Sequence, residues 1–308
     1  MKVLVIAQEG QIRDALEKQL TLRDRAYQCV GPAWFGVGAK KAVVAGAGVK
    51  LPKGVSVVFN ALSLELFEQT PDQGLLAPLV QLAQACHRRG VPLILLSSSM
   101  VYGEVDGVHR ESEPPVPGNA AGELLLRMEQ AVTEQCEQSI VLRTGPLFSS
   151  MGDNLLTNLL RNFENGQALQ LSNAGDSCPL HTSDLARVVS AIIDQLSCGA
   201  EVWGTYHYCS ADYVSSYQFA EAVLAVVSQY EKGANQTLKL QPVEAADTRW
   251  SRPLLNCEKI LNTFGVKQLP WRAFIAPTVK KYFHPEQVLD EPMLMQSIKT
   301  VQKENFDG

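Results

Sequence analysis

The residues of this chain best placed to do chemistry are three serines. Ser97, Ser98 and Ser99 close an apolar run, Val91 to Leu96, and lead into Met100-Val101-Tyr102-Gly103. Hydroxyls at the end of a strand buried on both faces stand at the carboxyl edge of a sheet, where open parallel sheets take up ligands. There they can hold a carbonyl or hydroxyl oxygen. A serine lacks the pKa of a general acid, so it positions a group without protonating it. Ser98 and Ser99 are candidate site residues, and Tyr102 is a neighbouring one; the plainer reading is a polar turn closing a strand. With no lysine beside it, Tyr102 keeps a pKa near ~10 and is a poor proton donor.

The elements that must position these serines follow from the apolar pattern. Val3 to Ala7 is nearly all apolar and ends at Gly10, after which Ile12, Ala15, Leu16 and Leu20 recur at helical spacing. Further buried-strand runs follow at 55–61, 91–96 and 139–143, each with a helical stretch between it and the next. This alternation predicts an α/β fold built on a parallel, doubly wound (Rossmann) sheet. A weaker strand is expected at 42–45. From Met151 the texture changes, with helices expected near 155–165, from Thr182 (capped by Thr182 or Ser183) and from Ser215 to about 229, and short strands near 168–171, 206–209 and 238–242. We expect residues 1–150 to form the first domain, 151–285 a smaller α/β portion interleaved with it, and 286–308 a polar tail.

The first turn, A-Q-E-G-Q-I-R from Ala7 to Arg13, keeps one glycine, Gly10, of the three that a dinucleotide fingerprint uses for tight turning, close backbone approach and helix–strand packing. Arg13 is bulky where the helix should press on the sheet. Glu9 would set a carboxylate near phosphate, a repulsion of roughly 3 kcal/mol at ~5 Å and an effective dielectric of ~20. The next strand end reads C-V-G-P-A-W and offers no carboxylate for a ribose; Lys40 and Lys41 read as a solvated pair. A nucleotide site here is weakened or altered, or Gly10 is only a turn glycine.

Bulk properties narrow the class. Apolar residues make up 46% and charged residues 19% of 308, with a net charge of −5, as in a globular protein rather than a nucleic-acid binder. Seven cysteines without a C-x-x-C pair read as reduced thiols, not as a zinc site or disulfide framework. No run reaches membrane-spanning length, and M-K-V-L-V-I-A is too short for a signal peptide, so we expect a cytoplasmic protein.

Taken in order, V-V-F-N-A-L (57–62), S-S-S-M-V-Y-G (97–103), R-E-S-E-P-P-V-P-G-N (110–119), V-L-R-T-G-P-L-F-S (141–149) with Asn154, G-T-Y-H-Y (204–208) with Tyr217 and Phe219, and R-P-L-L-N (252–256) resemble the extended short-chain dehydrogenase/reductases, and within them the dTDP-4-dehydrorhamnose reductase group. The resemblance covers nearly the whole chain. It implies a Rossmann fold, an NAD(P) cofactor near Gly10, Gln11, Ile12, Asn60 and Ala61, and a nucleotide sugar near Ser99, Tyr102, Arg143, Asn154, His181 and Arg252. Ser98 matches the serine or threonine of the family's catalytic triad.

The departure comes at P-G-N-A-A-G-E-L-L-L-R-M-E, 117–129. The group carries P-x-N-x-Y-G-x-x-K-x-x-x-E there, and its tyrosine and lysine fall on Ala121 and Leu125. Neither side chain can give or take a proton, and Arg127 lies on another helix face from the lost lysine. The expectation is therefore a relative without its acid–base pair: a ligand-binding or regulatory protein, with NAD(P) binding weakened or lost and a protein partner or homodimer possible. A regulatory subunit of methionine adenosyltransferase in the same family makes a binding role familiar by analogy. The alternative is an active NAD(P)-dependent reductase or epimerase of a nucleotide sugar using relocated groups. Ala121 and Leu125 should face the crevice near Ser98 and leave apolar surface there.

Overall fold

The computed structural model describes residues 1–35, 49–62, 64, 73–103, 107–166, 169–230, 240–243 and 252–285. The strand expected at 42–45, Lys40 and Lys41, and the tail from 286 lie outside the described residues.

Strand β1 (Lys2–Ile6) leads into helix α1 (Gln11–Leu22), followed by β2 (Ala26–Val30) and β3 (Val55–Asn60). Helix α2 (Leu76–Arg89) precedes β4 (Leu93–Ser98), and a short β5 (Val108–His109) precedes helix α3 (Ala120–Gln135) and β6 (Ser139–Thr144). After β7 (Leu147–Phe148) come helix α4 (Leu155–Glu164), β8 (Leu169–Ser172), β9 (Asp176–Ser177), β10 (Leu180–His181) and helix α5 (Thr182–Ser197). Then follow β11 (Gly204–Tyr208), β12 (Val214–Ser215), helix α6 (Ser216–Tyr230), β13 (Leu240–Val243), β14 (Leu254–Leu255), α7 (Glu258–Phe264) and α8 (Ile275–Phe283).

Six strands form one all-parallel sheet in the order β11-β6-β4-β3-β1-β2. Its central strands are apolar on both faces because helices cover both, and Val3 to Ile6 are fully buried. The chain beyond residue 150 takes part in this layer: β11 extends the sheet beside β6, and α5 packs on α1. The two portions thus interleave, and residue 150 divides the sequence but not the sheet. A second apolar cluster around Phe148, Leu160, Phe219, Trp271 and Val279 supports the C-terminal portion.

Strand β4 runs two residues further than its apolar run, so Ser97 and Ser98 lie in the strand and only Ser99 begins the turn. Ser215 caps α6, its Oγ accepting from the Gln218 amide at 3.2 Å. The cap of α5 is a correction. It is His181, whose Nδ1 accepts from the Ser183 amide at 3.2 Å, in place of Thr182 or Ser183. Imidazole nitrogen is an acceptor with the same reach as a serine oxygen.

Candidate active site

The carboxyl edge of the sheet gathers the ends of β1, β3, β4 and β6. At β4, Ser98 is nearly buried and its Oγ accepts from the Met100 amide at 3.3 Å. Ser97 hydrogen-bonds the Glu129 carboxylate. Ser99 is fully buried, and its Oγ has no partner among the described residues.

Glu129 is the anchor of a buried polar chain. Its carboxylate takes two bonds from Arg143 Nε at 3.0 and 3.2 Å and one from Nη2 at 2.6 Å. Arg143 Nη1 donates to the Tyr102 hydroxyl at 2.6 Å, which donates to the Arg110 carbonyl at 3.1 Å and also meets His207 Nε2 at 3.0 Å. Tyr102 stacks on His109 with ring centroids 4.4 Å apart. Burial pushes the Tyr102 phenol up to about 12, against the pull of Arg143. Burial, followed by the charge of Arg143, brings His207 down to about 3, so it stays neutral. These facts correct two expectations. Tyr102 and Arg143 are not free to touch a ligand, since their polar atoms are spent inside the protein; both are nearly inaccessible. Tyr102 is equally unsuited as a relocated proton donor.

Ala121, Leu125 and Glu129 follow one another at i, i+4 and i+8 along one face of α3. Because Glu129 reaches Ser97 and Arg143, this face looks onto the ends of β4 and β6. Leu125 is 1% exposed and belongs to the main core, whereas Ala121 is half-buried. The expectation that Leu125 faces an open crevice is therefore corrected: its side chain lies in the core. A Cβ on Gly122 would lie 2.4 Å from the Met100 carbonyl oxygen, so only glycine lets the helix come this near.

At the first turn, Gly10 has φ 154° and open space around it, and helix α1 starts without a side-chain cap. An anion can approach such an end. Arg13 is not wedged against the sheet; it lies along the helix, 2.9 Å from Glu17 and 3.8 Å from Glu9, while Ile12, Ala15, Leu16 and Leu20 do the packing. Glu9 is 92% exposed, so its repulsion of a phosphate is screened and partly neutralised by Arg13. Gln11 Oε1 accepts from Ser149 Oγ at 3.0 Å and Asn154 Nδ2 at 3.2 Å, and the Ile12 side chain is core. At β3, Asn60 Oδ1 accepts from the Leu62 amide at 2.9 Å, and the Ala61 amide donates to the Ile6 carbonyl at 2.8 Å.

The C-terminal candidates are likewise engaged. Asn154 caps α4 through a reciprocal capping box with Thr157. His181 meets Ser183 Oγ at 2.7 Å and Thr278 Oγ at 3.1 Å, and burial takes it down to about 3. It is half-buried, and both ring nitrogens have partners within the protein. Arg252 is half-buried, its amide donating to the Asp176 carbonyl at 3.3 Å.

Two clusters had no sequence signal. Asp184, almost fully buried, holds Arg187 Nε at 2.7 Å and the Tyr208 hydroxyl at 2.8 Å. Cys178, Cys209 and Cys257 meet in the core, with 3.7 Å between the Cys209 and Cys257 sulfurs. Hydrogen bonds to both neighbours, then burial, hold the Cys209 thiol well above its usual range, as expected of an inert thiol. Among the described residues no group of three or more His, Cys, Asp or Glu side chains could hold a metal ion.

Residues 69–283 match the family described as the RmlD substrate binding domain. The chain belongs to that family. It is 25% identical over 282 residues to a dTDP-4-dehydrorhamnose reductase of Sinorhizobium fredii, spanning 88% of this chain and 94% of the relative. It is also 25% identical over 223 residues to methionine adenosyltransferase 2 subunit beta of Xenopus laevis, spanning 70% and 66%. The fold is similar to that of the Bacillus anthracis dTDP-4-dehydrorhamnose reductase solved in complex with NADP, with a TM-score of 0.70, 17% identity, and coverage of 93% and 99%. No helix among the described residues is long and apolar enough to cross a membrane.

Proposed function

We propose that this family member is a non-catalytic or strongly impaired relative of the reductases, retained as a nucleotide-sugar-binding or regulatory protein. The observation that carries the reading is one of sequence: Ala121 and Leu125, at the positions the resemblance gives to the tyrosine and lysine, offer no acid or base, and the burial of Leu125 in the core counts against its facing a crevice. Reduction of a ketone needs a proton donor beside the transferred hydride, and the face of α3 toward Ser98 carries only a methyl and an isobutyl group ahead of Glu129. Glu129 is committed to Arg143 and Ser97, and Tyr102 to Arg143, His207 and Arg110. None of these groups can stand in for the missing pair.

An NAD(P) cofactor would supply a hydride. The groups available to hold it are the backbone around Gly10 and Gln11, where the uncapped start of α1 and the open space at Gly10 suit a pyrophosphate. We read dinucleotide binding as weakened, since the end of β2 offers no ribose carboxylate. A binding role gains support from the similarity to a protein named as a subunit of methionine adenosyltransferase.

Fluorescence titration with NADH and NADPH, with calorimetric titration of dTDP- and UDP-sugars, tests the reading. It predicts saturable nucleotide-sugar binding and dinucleotide binding at least about tenfold weaker. Micromolar NAD(P)H affinity together with ketosugar-dependent oxidation would return the chain to the active reductases or epimerases.

A further inference from the structure

We infer that Gln11 is a coupling residue, through which a dinucleotide held at the start of α1 orders the segment that opens the C-terminal portion. The inference rests on the reading of the α1 start given under Proposed function and adds a route out of that site.

Gln11 is the first residue of α1, and the first amide bonded within the helix is that of Asp14, to the Gly10 carbonyl. The Gln11 backbone N–H is therefore one of those a helix leaves unpaired at its start. Its side chain is used elsewhere, as the acceptor for Ser149 Oγ and Asn154 Nδ2. Asn154 decides which Gln11 atom faces it. Asn154 Oδ1 accepts from the Thr157 amide at 3.2 Å, so its Nδ2 is the donor and the Gln11 atom must be the oxygen.

Both donors are buried and lie between β7 and α4. Phe148 before them and Leu156 after them belong to the C-terminal apolar cluster, whereas Ile12, next to Gln11, belongs to the main core. Gln11 is thus a polar bridge between the two clusters. Fixing its backbone fixes where its side-chain oxygen is offered, and with it Ser149 and Asn154, the cap of α4. Ligand at the first turn and order at 149–157 then favour each other, as linkage requires. The bridge can be removed without stranding a buried donor. Asn154 Nδ2 also donates to the Ser149 and Met151 carbonyls at 3.2 and 2.8 Å, and the Ser149 hydroxyl reaches the Met151 carbonyl at 2.9 Å.

Amide hydrogen exchange over 149–157 in the full chain, read by mass spectrometry while fluorescence follows NADH occupancy, tests the inference. Bound NADH should slow exchange there by about fivefold or more. Gln11→Leu keeps every backbone N–H of α1, so NADH should still bind while the slowing vanishes. Gln11→Glu offers a carboxylate to the same two donors, and the slowing should persist at saturation. A purely structural Gln11 would alter exchange equally with and without NADH. NADH that binds without slowing 149–157, or slowing that survives in Gln11→Leu, would overturn the coupling and leave the pyrophosphate reading intact. Absence of NADH binding would overturn the coupling together with the pyrophosphate site.

Discussion

Replacing Leu125 by lysine puts an ammonium at the position where the resemblance expects one, and the structure sets what that costs. Leu125 is 1% exposed, so removing it forfeits about 2–3 kcal/mol of apolar burial. The new amine has no free partner, because Glu129, one turn on, is already held by Arg143 and Ser97. Escaping charge by losing its proton at pH 7 costs a lysine of ordinary pKa ~10.4 about 1.36 × 3.4, or roughly 4–5 kcal/mol. The total of about 6–8 kcal/mol approaches the whole stability of a typical domain. Urea unfolding of Leu125→Lys at pH 7 and pH 10, beside Leu125→Met as the volume-matched comparison, measures both parts. The penalty should shrink by about 4 kcal/mol at pH 10, where neutralising the amine is nearly free. A Leu125→Lys protein within about 1 kcal/mol of the parent at pH 7 would refute the reasoning, because the position would then open to water as a catalytic lysine's does.

Three further outcomes follow from the same geometry. Glu129→Ala strands the Arg143 guanidinium in the core and should cost about 3–5 kcal/mol by chemical denaturation. Gly122→Ala drives a Cβ to within 2.4 Å of the Met100 carbonyl and should lose about 1–3 kcal/mol and lower Tm, although alanine is the better helix former. His207 is neutral in the fold with a pKa near 3 and takes up a proton near 6.5 once unfolded. The unfolded chain therefore binds more protons in that window, and stability falls as pH drops from 6.5 toward 3, by up to about 1.4 kcal/mol per pH unit. His181, lowered to about 3 as well, adds a like amount, so His207→Gln should roughly halve the combined slope in urea titrations.

Much of the scaffold was legible because burial on two faces and helical spacing leave strong marks. The strands β1, β3, β4 and β6 read as apolar runs, and Ser215 read as a cap because a serine just ahead of a helix accepts from that helix's own first turn. The cap at His181 was not legible, since a histidine ring turns toward a helix start only under the surrounding packing of Phe148 and Phe274. The fate of Tyr102 and Arg143 was hidden for a similar reason. Their partners Glu129, Arg110 and His207 are brought together by strand order, which no local pattern records. The burial of Leu125 in the core was hidden too, since the motif that marks its position does not record what packs over it. The three thiols at 178, 209 and 257 likewise converge only in the fold.

The most direct measurement is turnover itself: NADPH and NADH consumption by the purified full chain in the presence of a dTDP-4-keto sugar, across a range of pH. The account predicts no oxidation above that of the cofactor alone, because neither Ala121 nor Leu125 can deliver a proton. Ketosugar-dependent oxidation that saturates with substrate, and that disappears in Ser98→Ala, would contradict it.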